Sequence, residues 1–223
     1  MRNIALKIRY DGSRYHGWQV QKDDVSVCQT MQEALSKICE HPVKLTGCGR
    51  TDAGVHARKQ VCSFRAETGL DSETLLSEIR KYLPEDIGAI SLCEAEPRFH
   101  ARLGCKGKTY VYRVRTSEVP DVFGRKYVYK YSKPLDITAM RSAAEKLCGE
   151  HDFSAFMATG SMIKDAVRTI YSASVEKKDD LITVTVTGSG FLYKMVRNIV
   201  GTMLKIGEGK LSIENIIYSL ANG

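Results

Sequence analysis

Residues 49–57 read Gly49-Arg50-Thr51-Asp52-Ala53-Gly54-Val55-His56-Ala57. One carboxylate stands between two glycines, with a guanidinium two positions before it, a composition that suits a site better than a core. Glycines let a backbone take positive φ and come close to a ligand, and a carboxylate on such a turn is hydrogen-bonded, paired or solvated. Asp52 is therefore the first candidate for chemistry; the plain alternative is an aspartate that caps its own turn. Short strand-like segments at residues 43–47 and 60–65 flank the nonapeptide, so it is expected to join two elements at one sheet end. If the stretch is extended, Arg50 and Asp52 share a face. Arg50 can then pair with Asp52 or contact an anionic ligand.

Outward from this loop, residues 3–10 read as a strand and residues 27–40 as an amphipathic helix. Ser26 and Gln29 offer a capping box, and Val27, Met31, Leu35 and Ile38 form the apolar stripe. A second helix is expected over residues 72–83, with Leu75, Leu76, Ile79, Tyr82 and Leu83 apolar and Pro84 as its stop, then a strand over 87–94. The first half reads β-α-β-β-α-β. In the second half residues 108–115 read as a strand and 137–148 as a helix between Asp136 and Gly149, followed by strands at 167–176 and 181–187. Along 181–187, Ile182, Val184 and Val186 alternate with Thr183, Thr185 and Thr187, which predicts one buried face. After Gly188-Ser189-Gly190, a helix over 191–206 is expected to bury Leu192, Met195, Val196, Ile199, Met203 and Ile206, and a short helix covers about 212–221. This order predicts an α+β chain of two halves, residues 1–100 and 101–223, with mostly antiparallel sheets.

The chain has 223 residues, 43% of them hydrophobic, and a net charge of +7. That is enough to build one large core or two small ones. No stretch approaches the roughly 18 uninterrupted apolar residues of a membrane span, and the amino terminus enters a strand without a signal-like apolar run, so a soluble cytoplasmic protein is expected. Seven cysteines, none spaced Cys-x-x-Cys, predict reduced and mostly buried thiols, with Cys48 as packing. The basic surplus lies in residues 101–223, which hold 19 basic and 12 acidic side chains. Between Arg98 and Arg115 six basic residues and no acid interleave with Phe99, His100, Tyr110 and Tyr112. Cations that neutralise phosphates beside rings that stack on bases favour an RNA ligand; a solvated strand face with core tyrosines is the alternative. His56 lies four residues from Asp52, but with no third ligand in view no metal is expected. Asp52 also stands where a dinucleotide loop needs its third glycine, so no NAD-type cofactor is expected.

The nonapeptide resembles the signature of the tRNA pseudouridine synthase A family. Other segments resemble the same family in the same order: Tyr10-Asp11-Gly12-Ser13 with Tyr15-His16-Gly17-Trp18-Gln19, Phe99-His100-Ala101-Arg102 with Lys108-Thr109-Tyr110-Val111-Tyr112, and Phe191-Leu192-Tyr193-Lys194-Met195-Val196-Arg197-Asn198-Ile199-Val200-Gly201. The resemblance implies two ferredoxin-like halves around a central basic RNA-binding cleft, a homodimer, and an isomerase that needs no cofactor. It implies that uridines at positions 38, 39 and 40 of the tRNA anticodon stem-loop are converted to pseudouridine. Asp52 is then the nucleophile, Arg197 its cationic partner, Tyr110 the ring that stacks on the extracted base and Arg50 an RNA contact during base flipping.

Family members usually carry a further segment with a Gly-Leu-Tyr-Leu strand after the point where this chain reaches Ala221-Asn222-Gly223. A catalytically impaired tRNA-binding protein is therefore the alternative expectation. A hydrolase using Asp52 with His56 or His100 is a third, unsupported by any Gly-x-Ser-x-Gly motif.

Overall fold

The structure is a computed structural model that describes residues 1–160 and 165–222, the side chain of residue 222 aside. The chain divides into two compact units, Met1–Cys105 and Lys106–Gly223. Both are α+β.

The first unit runs β1 (Arg2–Tyr10), α1 (Val27–Cys39), β2 (Leu45–Gly47), β3 (Ala57–Ala66), α2 (Ser72–Tyr82) and β4 (Ile87–Glu94). Its antiparallel sheet has the order β2-β3-β1-β4, the arrangement of a split β-α-β-β-α-β unit. Alternation places Ile4, Leu6, Ile8 and Tyr10 of β1 in the core beside Val27, Met31 and Leu35 of α1 and Leu75 and Ile79 of α2. Helix α1 starts where its sequence says: the Ser26 hydroxyl, fully buried, accepts the Gln29 amide at 3.3 Å. Helix α2 is narrower than its apolar spacing predicts, since Tyr82 is 53% exposed while Leu75 and Ile79 carry the packing.

The second unit runs β5 (Lys108–Arg115), β6 (Tyr129–Lys130), α3 (Ile137–Lys146), β7 (Gly149–Asp152), a 3₁₀ turn (Ser154–Phe156), β8 (Val167–Lys178), β9 (Leu181–Gly188), α4 (Met195–Gly207) and α5 (Ile213–Asn222). The sheet order is β6-β5-β9-β8-β7. Strands β5, β9 and β8 thus stand side by side as β1, β3 and β2 do, and α3 and α4 occupy the chain positions of α1 and α2. The two units share a β-α-β-β-α plan. They part at the strand beside β5, where β6 pairs in parallel through Val114 and Arg115 alone. Ile182, Val184 and Val186 are buried in β9 as the alternation predicts.

Three expectations need correction. Strands β6 and β7 and the 3₁₀ turn were not foreseen. The last long helix begins at Met195 and not at 191, because Lys194 is left-handed (φ 56) and the Met195 amide closes a turn onto the Leu192 carbonyl at 3.1 Å. That turn is fixed by the Ala158 amide, which donates to the Tyr193 carbonyl at 3.1 Å. The cysteines are all free, but only Cys28, Cys39 and Cys62 are buried; Cys93 and Cys148 are exposed. Burial pushes the Cys28 thiol up to about 11 and the Cys62 thiol well above its ordinary range, which leaves both unreactive.

Candidate active site

Strands β2 and β3 pair antiparallel through Leu45–Gly47, and the chain then leaves the sheet for the Asp52 loop. The loop is rigid because its backbone is held at successive points. The Cys48 amide donates to the Val61 carbonyl at 2.8 Å, and the side-chain amide of buried Gln60 donates to the Gly49 carbonyl at 2.7 Å. The Thr51 carbonyl accepts the Trp18 amide at 3.0 Å, while its hydroxyl lies 2.8 Å from the Tyr10 hydroxyl. Gly54, at φ +74, donates its amide to the Tyr15 carbonyl at 3.2 Å, and the Val55 amide closes the turn onto the Asp52 carbonyl at 3.2 Å. Asp52 is half-buried on this turn and Arg50 is exposed. A carboxylate on a turn fixed from both sides can act as a nucleophile without first being ordered.

The segment over residues 10–19 is the scaffold of that loop. Gly12 and Gly17 are required sterically: a Cβ on Gly12 would meet the Val55 carbonyl oxygen at 2.1 Å, and one on Gly17 (φ +90) would meet the Thr51 carbonyl oxygen at 2.5 Å. Tyr10, Tyr15 and Trp18 are buried. The Trp18 ring lies where a Cβ on Gly47 would fall, 2.6 Å away, so β2 closes over the indole only with glycine there.

The Tyr15 hydroxyl donates to Asp86 at 2.7 Å, and Arg14 pairs with the same carboxylate. Burial, reinforced by the Asp86 bond, pushes the Tyr15 phenol up to about 12. Burial alone would raise Asp86, but the hydrogen bonds from Arg14 and Tyr15 outweigh it and hold Asp86 below the usual carboxylate range. Asp86 is a supporting residue that sequence reasoning missed. His56 closes the other side: its Nδ1 lies 3.0 Å from the Gly12 amide and 3.0 Å from Asp11 Oδ1.

The other two candidates lie in the second unit. Tyr110 pairs with Val186 across β5 and β9, is half-buried, and meets Phe191 edge-on with ring centroids 5.0 Å apart. It shares its strand face with Tyr112, which also packs on the core. The Tyr110–Phe191 contact brings β5 against the turn that leads into α4. Arg197, in the first turn of α4, is on that helix's exposed side, while Met195, Val196 and Ile199 face the core. The structure thus groups Arg50 with Asp52 in one unit, and Tyr110 with the start of α4 in the other.

The basic stretch over residues 98–115 does not behave as one surface. In the first unit the buried Ala101 donates its amide to Ser63 at 3.1 Å, and Asn3 donates to the Glu96 and Phe99 carbonyls at 2.7 and 3.0 Å. The Phe99-His100-Ala101-Arg102 motif is therefore an anchor on β1 and β3, with Arg98 and Arg102 exposed around it. Arg115 is neutralised by Asp180 at 3.0 Å and Asp121 at 3.4 Å, so this cation is taken up within the fold. No group of three or more metal-ligating side chains occurs among the described residues, and no helix among them is long and apolar enough to cross a membrane.

Comparison with known proteins gives one answer. The family model for tRNA pseudouridine synthase matches residues 7–126 and 143–222. Tyr10, Gly12, Gly17, Asp52, Tyr110 and Arg197 all lie inside those spans. The chain is 41% identical over 222 residues to the tRNA pseudouridine synthase A of Thermoanaerobacter sp. (strain X514), covering 99% of this chain and 90% of that protein. It is 40% identical over 220 residues to the tRNA pseudouridine synthase A of Clostridium kluyveri, with the same coverage. To the tRNA pseudouridine synthase A 2 of Clostridium perfringens it is 41% identical over 223 residues, covering 100% of this chain and 91% of that protein. With its α+β units and its glycine-braced carboxylate loop, the chain belongs to the tRNA pseudouridine synthase family.

Proposed function

We propose that this chain isomerises uridine to pseudouridine in tRNA, in the anticodon stem-loop at positions 38, 39 and 40, with Asp52 as nucleophile. In that reaction the N1–C1′ bond breaks and C1′ of the same ribose joins C5; a proton leaves C5 and N1 gains one. Atoms and electrons balance without a cofactor. What the protein must supply is an ionised carboxylate, a means of extracting the base, and a ring to hold it once flipped.

The single observation that carries this reading is the Asp52 loop. The signature carboxylate sits on a turn whose backbone partners come from the other signature segment, at Tyr15 and Trp18. On that reading Arg197 acts as the cationic partner that keeps the carboxylate ionised, Tyr110 stacks on the extracted base, and Arg50 contacts the RNA as the base leaves. These roles follow the family resemblance residue by residue. The working form is a homodimer, again on the family's pattern. The similarity, over 90–91% of the relatives' length, gives no support to an impaired RNA-binding protein as the alternative.

The test is tritium release from an anticodon stem-loop labelled at C5 of uridine, comparing the native chain with Asp52→Ala and measuring RNA binding for both. Release from the native chain and none from the variant, at comparable binding, is expected. Binding without release from either would falsify the isomerase.

A further inference from the structure

We infer that His56 is a positioning residue for Asp52: as a neutral imidazole with its proton on Nε2, it accepts the buried Gly12 amide proton at Nδ1 and pins the far side of the Asp52 turn. The inference rests on the isomerase reading above and adds a residue that reading does not use.

Two neighbours compete for one ring nitrogen. Nδ1 lies 3.0 Å from the Gly12 amide nitrogen, which can only donate, and 3.0 Å from Asp11 Oδ1, which as a carboxylate can only accept. A nitrogen that carries a proton serves Asp11; one that carries a lone pair serves Gly12. Three features decide for Gly12. Its N–H is fixed in direction by the peptide plane and points at Nδ1, whereas Asp11 Oδ1 already accepts the Ser13 amide at 2.9 Å and the Ser13 hydroxyl at 2.6 Å. Gly12 is buried, and a buried amide without an acceptor is costly. The Val55 carbonyl oxygen lies so close to Gly12 that a Cβ there would come within 2.1 Å of it, so backbone contact and ring contact fix the same two segments against each other.

The consequence is a clamp. On one side of Asp52 the Thr51 carbonyl is held by Trp18, and on the other the turn closes through the Val55 amide onto Asp52. The far side is tied to the end of β1 by the pairing of Ala57 with Tyr10 and to the segment after it by the Gly54 amide on the Tyr15 carbonyl, and the imidazole–Gly12 contact is the side-chain tie between them. Without the imidazole the turn keeps its backbone ties and loses the side-chain one on its far side. Asp52 then samples orientations away from the reacting ribose, and a misplacement on the order of 1 Å costs about 100-fold in rate. RNA affinity, set by other residues, is left alone.

The test compares His56→Ala with His56→Asn, whose side-chain oxygen stands where Nδ1 stands, and adds ring ¹⁵N NMR of the native protein without RNA. Expected are a proton on Nε2 and an unprotonated Nδ1 at neutral pH. Tritium release by His56→Ala should show kcat lower by about 10- to 100-fold with KM within about threefold. His56→Asn should regain most of the loss. Equal loss in both variants, a loss confined to KM, or a proton resting on Nδ1 each overturns the clamp. If the alanine variant fails to fold, the asparagine variant and the ring shifts decide it alone. Absence of release from the native chain overturns the isomerase reading, and the positioning role with it; a proton on Nδ1 with release intact overturns only the clamp.

Discussion

At the scale of single residues, the support of Asp52 depends on protons as well as on shape. The Tyr15 phenol is raised to about 12 by burial and by its bond to Asp86. A folded value above the ordinary value of about 10 means that folding favours the neutral phenol. This contribution is complete below about pH 10 and is lost as pH rises through 12. Asp86 has the opposite sense: its folded value is depressed, so its contribution is present above the ordinary carboxylate value of about 3.9 and lost as pH falls through the lower folded value. Tyr15→Phe should therefore cost about 1–2 kcal/mol in urea unfolding at pH 7, and the gap to the native protein should close between pH 10 and 12. A gap that stays constant through pH 12 would show that Tyr15 does not titrate with unfolding. Legibility at this scale was uneven for a physical reason. The braced loop that carries Asp52 could be read because glycines next to a carboxylate are a local oddity. Asp86 could not, because it lies in an ordinary Pro84-Glu85-Asp86 turn and meets Tyr15 only across 71 residues of chain. His56 was visible but misdirecting: its spacing from Asp52 raises the question of a metal, and only the fold shows that its Nδ1 meets the Gly12 amide and Asp11.

At the scale of elements, the glycines of residues 12 and 17 carry more than the helix caps do. Gly17→Ala meets both a left-handed backbone and a carbonyl oxygen 2.5 Å from the new Cβ, and Gly12→Ala meets one at 2.1 Å. Neither obstacle is the end of a flexible side chain, so the backbone itself must move. Each should cost about 2–4 kcal/mol, read from the urea midpoint, and should lower activity by displacing the Asp52 turn. Ser26→Ala, which removes only the α1 cap, should cost about 1 kcal/mol and leave activity nearly unchanged. If the two kinds of variant prove equally disruptive, the steric account of the scaffold is wrong. The same elements show what periodicity can reveal. Helix α1 and strands β4, β5 and β9 declare themselves through apolar spacing and a cap. Apolar spacing alone extends helix α4 too far, because Phe191 and Leu192 continue it although the left-handed Lys194 separates them from the helix. Strand β7, Gly149-Glu150-His151-Asp152, is a mostly exposed polar edge, and such a strand has no alternation to read.

At the scale of the whole chain, charge governs which surface can meet RNA. The net +7 lies in the second part of the sequence, but a linear tally does not say which cations remain available to RNA. Arg115 does not count as one, since Asp180 and Asp121 take up its guanidinium. Arg98 and Arg102 are exposed beside the Ala101 anchor, which Asn3 and Ser63 hold in place, and Lys106 is exposed at the start of the second unit. Each exposed cation that neutralises a phosphate releases counterions, and the logarithm of the binding constant then falls with the logarithm of salt by about 0.7–0.9 per contact. Arg98→Gln, Arg102→Gln and Lys106→Gln combined should lower the magnitude of that slope for an anticodon stem-loop by about 2, and should weaken binding to unrelated RNA by a similar factor, because phosphate contacts carry no sequence information. Arg115→Gln should leave the slope unchanged while lowering the unfolding midpoint, since it strips two carboxylates of their partner. The opposite pattern, a slope that responds to Arg115 and ignores the other three, would mean that the RNA displaces Asp121 and Asp180 from Arg115 and tracks β5 instead. Filter binding across a salt series, paired with urea unfolding of each variant, separates the two outcomes.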